Sequence, residues 1–195
     1  MKLAAVLAAG SSYRLGQPKQ LLRWGNESLL AHAITTLRAA GAEKIGVVVG
    51  AHREAILESF SESDHTSLDW IANDRFREGQ ATSLHAAIAA YAPLMHHDDA
   101  LIIALCDQPT IPASHYRALL DVVCVGMQPC SATQYPSGPG VPACFNVEAL
   151  GRLEAAGDGG AKQWLRSQPP GCVRVIPCDH ALRDIDTLQQ WQALH

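Results

Sequence analysis

The chain of 195 residues has a formal net charge of −4 at pH 7, and 48% of its residues are hydrophobic. This length and composition predict one domain, 1–195, that buries a substantial core. The sequence has no run of about 18 apolar residues that could span a membrane, and a secretory signal is not expected. The lack of a Lys/Arg run argues against a nucleic-acid partner. The six cysteines form no Cys-x-x-Cys pair, which favours reduced thiols in a cytoplasmic protein.

The predicted elements alternate between strands and helices, which is typical of a three-layer α/β protein with a mostly parallel sheet. The first strand, 3–9, is uniformly apolar and is expected in the middle of the sheet. The first helix is predicted between Ser28 as N-cap and Gly41 as C-terminal stop. Further strands are predicted at 44–50, 68–72, 100–105, 128–134, 143–145 and 172–177. Further helices are predicted at 52–60, 80–91, 112–126, 146–156, from 157 onwards and at 188–194, with loops at 61–67 and 135–142.

The loop after the first strand predicts a phosphate-binding site. It combines two glycines, two serines and two fixed cations: Gly10, Gly16, Ser11, Ser12, Arg14 and Lys19. Glycines allow close backbone approach, and exposed amides can form a concave anion site at the end of a parallel strand. The spacing fits neither a P-loop nor a dinucleotide fingerprint. An ordinary Gly-rich connection between a strand and a helix is the alternative.

Asp107 stands where the apolar strand 100–105 ends and is a candidate metal ligand. A carboxylate after so apolar a run is costly to desolvate unless it meets a cation or hydrogen-bond donors. Mg²⁺ held between this side chain and nucleotide phosphates satisfies that requirement. The alternative role, a cap for the next helix, is less favoured because Thr110, Pro112 and Ser114 already provide a helix start.

Residues 7–22, LAAGSSYRLGQPKQLL, resemble the signature of nucleotidyltransferases with a Rossmann-like, glycosyltransferase-A-like fold. Within the MobA-like NTP transferase family, Leu7-Ala8-Ala9-Gly10 resembles the MocA-like molybdenum cofactor cytidylyltransferases more than the guanylyltransferases. The resemblance implies a triphosphate site with Arg14 and Lys19 as its charged, catalytic contacts. The nucleotide-binding residues it implies are Leu7, Ala8, Ala9, Gly10, Ser11, Ser12, Arg14 and Lys19.

Two further segments resemble the nucleotide and metal sites of this family. Segment 73–84 is similar to one that lies over the base and ribose, which implies contacts from Asn73, Gly79 and Ser83; by itself it also fits a capped helix start. The run Leu-Cys-Asp-Gln-Pro implies that Asp107 is a catalytic metal ligand. The C-terminal Asp-Ile-Asp-Thr motif implies Asp184 as a second metal ligand and leaves Asp186 as a helix cap.

Two more segments resemble the acceptor side of the family site. They imply Gly140 and Pro142 as acceptor contacts, although Val141 stands where relatives carry His. Asp158 either faces the acceptor or, as the preferred interpretation, caps a helix.

The resemblance implies transfer of CMP from CTP to a phosphorylated acceptor, with Mg²⁺ as cofactor and pyrophosphate as leaving group. The implied acceptor is molybdopterin, and a molybdoenzyme or its chaperone is a possible protein partner. A GTP-dependent transferase, a transferase acting on sugar, polyol or phospholactate phosphates, and a nucleotide or molybdopterin carrier without turnover are the alternatives.

Overall fold

The computed structural model describes residues 1–157, 159–179 and 191. Its strands are β1 (Lys2–Leu7), β2 (Arg23–Trp24), β3 (Glu27–Ser28), β4 (Lys44–Val49), β5 (Asp69–Ala72), β6 (Ala100–Leu105), β7 (Cys130–Tyr135), β8 (Gly138–Phe145) and β9 (Arg174–Pro177). Its α-helices are α1 (Leu29–Ala40), α2 (Arg53–Glu58), α3 (Glu62–Ser67), α4 (Gln80–Tyr91), α5 (Ala113–Cys124), α6 (Val147–Ala155) and α7 (Gly160–Ser167). None of these helices is long and apolar enough to cross a bilayer.

Seven strands form one sheet in the order β5-β4-β1-β6-β8-β7-β9, and β2 pairs with β3 in a separate hairpin. All neighbouring strands of the large sheet are parallel except β8, which runs antiparallel to both β6 and β7. The predicted α/β class with a mostly parallel sheet is therefore confirmed. The position of β1 between β4 and β6 agrees with the uniformly apolar sequence of residues 3–7.

Hydrophobic residues of β1 alternate between two cores, one on each face of the sheet. Ala4 and Val6 pack in a cluster with α1 and α5. Leu3 and Ala5 pack in a cluster with α4, α6 and α7. Because both faces are covered, the strand needs no polar side. The predicted first helix is confirmed: the Ser28 side chain accepts a hydrogen bond from the Ala31 amide, and α1 ends at a left-handed Gly41.

Two predicted loops are wrong. Residues 62–67 form α3, since Ser61 and Asp64 make a reciprocal capping box that satisfies the first amides of a short surface helix. Segment 135–142 is a β-hairpin in which Tyr135 pairs with Gly138 and β8 continues to Phe145. Its glycines and prolines indicated a loop. A register shift on β8 leaves Pro142 outside the regular ladder, where its missing N–H costs nothing.

The carboxyl ends of β5, β4, β1 and β6 meet at one edge of the sheet because these strands are parallel. Gly50, which follows β4, lies against the start of the loop after β1. A Cβ added there would lie 2.9 Å from Ala9 Cβ and 2.8 Å from Phe76 Cβ. The absent side chain at Gly50 thus permits the close packing of three loops at the ligand-binding edge.

Candidate active site

The loop after β1 presents unpaired backbone amides. In the part of the chain that the structure describes, the N–H groups of Gly10, Ser11 and Ser12 donate no hydrogen bond. Ser12 is left-handed, with φ 51°, and a short 3₁₀ turn over Tyr13–Leu15 follows it. Such a change of handedness turns successive amides towards one concavity, which suits an anion. The geometry agrees with the predicted phosphate loop. The side chain of Arg14 lies outside the described part of the structure.

The buried side chain of Gln20 holds the backbone of this loop by hydrogen bonds. Its Nε2 donates to the carbonyl oxygens of Ala8 and Gly10, at 2.6 and 2.9 Å. The Lys19 amide donates to Ser12 Oγ at 3.0 Å, which closes the loop on itself. Sequence reasoning missed Gln20, although a polar side chain directly before Leu21 and Leu22 was a usable signal.

Lys19 and Asp107 meet across the ends of β1 and β6. Lys19 Nζ lies 2.5 Å from Asp107 Oδ2, and the two side chains are 18% and 14% exposed. The parallel register that pairs Leu7 with Leu105 places both loops at the same edge. The predicted phosphate loop and the predicted acidic metal ligand therefore lie side by side at the carboxyl ends of neighbouring strands.

The other carboxylate oxygen of Asp107, Oδ1, is buried and has no hydrogen-bond partner among the described residues. An unpaired carboxylate oxygen is a ligand that a hard divalent cation prefers. Within 1–157, 159–179 and 191, no three His, Cys, Asp or Glu side chains converge to form a metal site, at Asp107 or at any other position. Asp184 and Asp186, the other candidates, lie outside the described residues. The chemistry of this buried, unpaired oxygen therefore fits a divalent cation, which Asp107 would hold through Oδ1.

A cavity of about 250 Å³ lies between these loops and α4. Its lining includes the predicted metal ligand Asp107 and most of the predicted nucleotide-binding residues: Leu7, Ala9, Gly10, Ser11, Lys19, Gly79 and Ser83. Cys106 also lines it, and burial raises the pKa of that thiol to about 12. The thiol is thus protonated at neutral pH, and its position beside Asp107 does not make it a nucleophile.

Asn73 lies behind this cavity and supports the start of α4. Its Nδ2 donates to the hydroxyls of Thr82 and Ser83, each at 2.9 Å, and its Oδ1 accepts from the Arg75 amide. The side chain is buried, with its donors and its acceptor engaged. The structure therefore favours a supporting role for Asn73, whereas Gly79 and Ser83 reach the cavity wall.

A second cavity of about 490 Å³ adjoins the first and shares Leu7, Gln80 and Leu105 with it. Its far wall comprises Gly140 and Val141 of β8 and residues 159–162 at the start of α7. Pro142 is buried, and its carbonyl accepts from Thr133 Oγ1 at 2.8 Å. Of the predicted acceptor residues, Gly140 lines this cavity, Pro142 supports its wall, and Asp158 lies outside the described residues.

Tyr135 and Gln108 also line the second cavity, and sequence reasoning missed both. Gln108 Nε2 donates to the Tyr135 hydroxyl at 2.9 Å, and that hydroxyl donates to the Val141 carbonyl at 2.5 Å. The pair connects the loop that bears Asp107 to the wall formed by β8. The glycines and prolines of 135–142 predict a loop, and a loop gives no indication that Tyr135 lies in a cavity wall.

Known proteins share this sequence pattern and fold. The MobA-like NTP transferase domain matches residues 4–172. The nicotine blue oxidoreductase of Paenarthrobacter nicotinovorans is 27% identical, over 97% of this chain and 94% of that protein. The bifunctional protein GlmU of Azorhizobium caulinodans is 31% identical over 68% of this chain, which corresponds to 31% of that protein's length.

Solved structures extend the similarity in fold. Rv0371c from Mycobacterium tuberculosis H37Rv has a TM-score of 0.78 and 28% identity, over 99% of this chain and 96% of that one. A manganese complex of the same mycobacterial protein has a TM-score of 0.75 and 24% identity, over 99% and 97% of the two chains. Molybdopterin-guanine dinucleotide biosynthesis protein A from Archaeoglobus fulgidus has a TM-score of 0.69 and 15% identity, over 99% and 96%. Because the family match includes both loops that meet at Lys19 and Asp107, the chain belongs to the MobA-like NTP transferase family.

Proposed function

We propose that the protein transfers a nucleoside monophosphate from a nucleoside triphosphate to a phosphorylated acceptor and releases pyrophosphate. The observation that carries the proposal is the contact between Lys19 and Asp107, 2.5 Å apart, beside two adjoining cavities. The smaller cavity offers unpaired amides and an ammonium group, which suit a triphosphate. The larger one, lined by neutral groups and Lys162, suits the acceptor.

The residues of the site perform the transfer mainly by alignment and charge compensation. Lys19 and the amides of 10–12 bind the phosphates and compensate the charge that gathers on the departing pyrophosphate. Asp107 Oδ1 would hold the divalent cation, for which we propose Mg²⁺, and this ion supplies Lewis-acid stabilisation of the α-phosphate when bound. A phosphate monoester has its second pKa near 6 and is already an anionic nucleophile at neutral pH, so the chain needs no general base.

We further propose CTP as the donor and molybdopterin as the acceptor. The resemblance of Leu7-Ala8-Ala9-Gly10 to the cytidylyltransferase branch supports CTP. The structural neighbour from Archaeoglobus fulgidus is named for molybdopterin-guanine dinucleotide biosynthesis, which supports a pterin acceptor. The volume of the acceptor cavity, about 490 Å³, is in the range of small-molecule sites. GTP is the alternative donor, and sugar, polyol or phospholactate phosphates are the alternative acceptors.

The test measures pyrophosphate release by the purified protein with CTP, GTP, ATP or UTP, Mg²⁺ or Mn²⁺, and molybdopterin. We expect release with CTP and Mg²⁺ only when the acceptor is present, together with a product of the mass of molybdopterin cytosine dinucleotide. A thermal-shift panel precedes it, because a nucleotide at 100 times its Kd stabilises the fold by about 2.7 kcal/mol.

Other outcomes would overturn the proposal in identifiable ways. Saturable CTP binding without pyrophosphate release would indicate a carrier. Pyrophosphate release with GTP and with none of the other nucleotides would indicate that GTP is the donor.

A further inference from the structure

Two histidine rings lie outside both cavities and contact the backs of the two ligand loops. His52 follows β4 and contacts the loop after β1, whereas His32, on α1, contacts the loop after β6. We propose that they are positioning residues: His52 holds the phosphate loop and His32 holds the loop that bears Asp107. The proposal rests on the transferase function proposed above and assigns a separate kinetic role to each ring.

His52 acts on the peptide between Ser11 and Ser12. Its Nε2 lies 3.0 Å from the Ser11 carbonyl oxygen, and because that oxygen can only accept, the ring nitrogen donates. In a trans peptide the carbonyl and the following N–H point in opposite directions. Holding the Ser11 carbonyl towards His52 therefore keeps the Ser12 amide turned away from it, with the unpaired amides of the phosphate loop.

Backbone strain marks the same contact. His52 has φ 60° and ψ 22°, and Ser12 is the only other non-glycine residue with positive φ among the described residues. This left-handed conformation brings the Cβ of an L-residue close to a backbone carbonyl and costs free energy, so the surroundings must hold it. The Ala51 amide also donates to the Ala9 carbonyl at 3.0 Å. Strain and cross-loop hydrogen bonds thus coincide where the turn after β4 meets the phosphate loop.

His32 holds the other loop through a longer chain of contacts. Its Nε2 donates to the Pro109 carbonyl at 3.0 Å, two residues after Asp107. Its Nδ1 lies 2.9 Å from Glu27 Oε1, while Thr35 Oγ1 donates to the second carboxylate oxygen of Glu27 at 3.2 Å. The ring is therefore oriented by groups of β3 and α1, and it transmits that orientation to the loop that sets the direction of the Asp107 carboxylate.

The test compares variants of each ring by steady-state kinetics of pyrophosphate release. We expect His52→Gly, which relieves the backbone strain but lacks a donor, to raise KM for the triphosphate about 3- to 10-fold, the range for one lost neutral hydrogen bond. His52→Gln retains an amide donor and should return KM to within about 2-fold of the parent value. His32→Ala should instead lower kcat and raise the metal concentration at half-maximal rate, and His32→Gln should restore both.

His97→Ala is the matched control, because that ring is 86% exposed on a surface turn and pairs with the exposed Asp98; its kinetics should equal those of the parent. Equal KM and kcat for His52→Gly and the parent would overturn the role of His52. If the kinetic losses of the His52 and His32 variants only parallel their losses in melting temperature, both rings contribute to stability alone. If the parent releases no pyrophosphate, the proposed function fails. The role of His52 can still be tested by calorimetric Kd values for the triphosphate: His52→Gly should bind the triphosphate more weakly than the parent, and His52→Gln should bind it as tightly.

Discussion

Replacing Asp107 by Asn tests the metal site with little change in shape. The substitution removes the negative charge 2.5 Å from Lys19 Nζ and weakens the buried, unpaired Oδ1 as a metal ligand. Loss of one preorganised electrostatic group at a reacting centre costs about 10²- to 10³-fold in kcat, or about 2.7–4 kcal/mol. We therefore expect Asp107→Asn to lower kcat/KM at least about 100-fold at saturating Mg²⁺.

The effect on stability should be much smaller than the effect on turnover. Breaking a fully buried ion pair costs about 3–5 kcal/mol, and breaking an exposed one costs about 0–1 kcal/mol. With side chains 14% and 18% exposed, the pair of Asp107 and Lys19 lies between these limits. We expect a loss of about 1–2 kcal/mol in the free energy of unfolding, which lowers Tm by about 2–8 °C and leaves the protein folded at 25 °C.

The assay measures pyrophosphate release across a Mg²⁺ titration, with the melting curve of each sample. Asp121→Asn is the matched control, because it breaks an ion pair far from both ligand loops. Asp121 Oδ1 lies 2.9 Å from Lys2 Nζ, and the Asp121 side chain is 53% exposed. The control should keep the parent kinetics. Retention of more than a tenth of the parent kcat/KM by Asp107→Asn would refute the metal role of this carboxylate.

Three further predictions concern the acceptor wall, the loop packing and the pH dependence of stability. Tyr135→Phe removes the hydroxyl that supports the acceptor wall and should raise KM for the acceptor about 3- to 10-fold, with KM for the triphosphate unchanged, in the same kinetic assay. Gly50→Ala should lower stability by about 1–3 kcal/mol in a denaturant titration because the added Cβ has no room, whereas Gly151→Ala, in the open interior of α6, should raise it by about 0.5–1 kcal/mol. The His96 amide and the N-terminal ammonium hold the pKa of Asp99 below its usual range. The ionised carboxylate therefore stabilises the fold fully above about pH 4, the ordinary carboxyl pKa, and this stabilisation is lost as the pH falls through the lower folded-state pKa. In melting curves from pH 7 to 3, the Tm of Asp99→Asn should fall less with decreasing pH than the Tm of the parent.

Local sequence patterns predicted the elements whose residues carry their own structural preference. The uniformly apolar residues 3–7 of β1 favour a place inside the sheet. Ser28 provides the hydrogen bond at the start of α1, and Gly41 provides the left-handed conformation at its end. The same reasoning was wrong for α3, where a capping box replaces apolar periodicity, and for β8, where a register shift accommodates proline. Those two elements depend on how the chain satisfies its amides, which composition alone does not reveal.

The sequence by itself also determined which loops follow strand ends, and therefore where Lys19 and Asp107 were expected. Only the tertiary structure decided that their charged groups touch, because the contact joins residues 88 positions apart and depends on the parallel register of β1 and β6. It also revealed the supporting side chains, Gln20 beneath the phosphate loop and Tyr135 in the acceptor wall. Their roles depend on which main-chain carbonyl or side-chain donor each polar group meets after folding, and no local pattern encodes that partner.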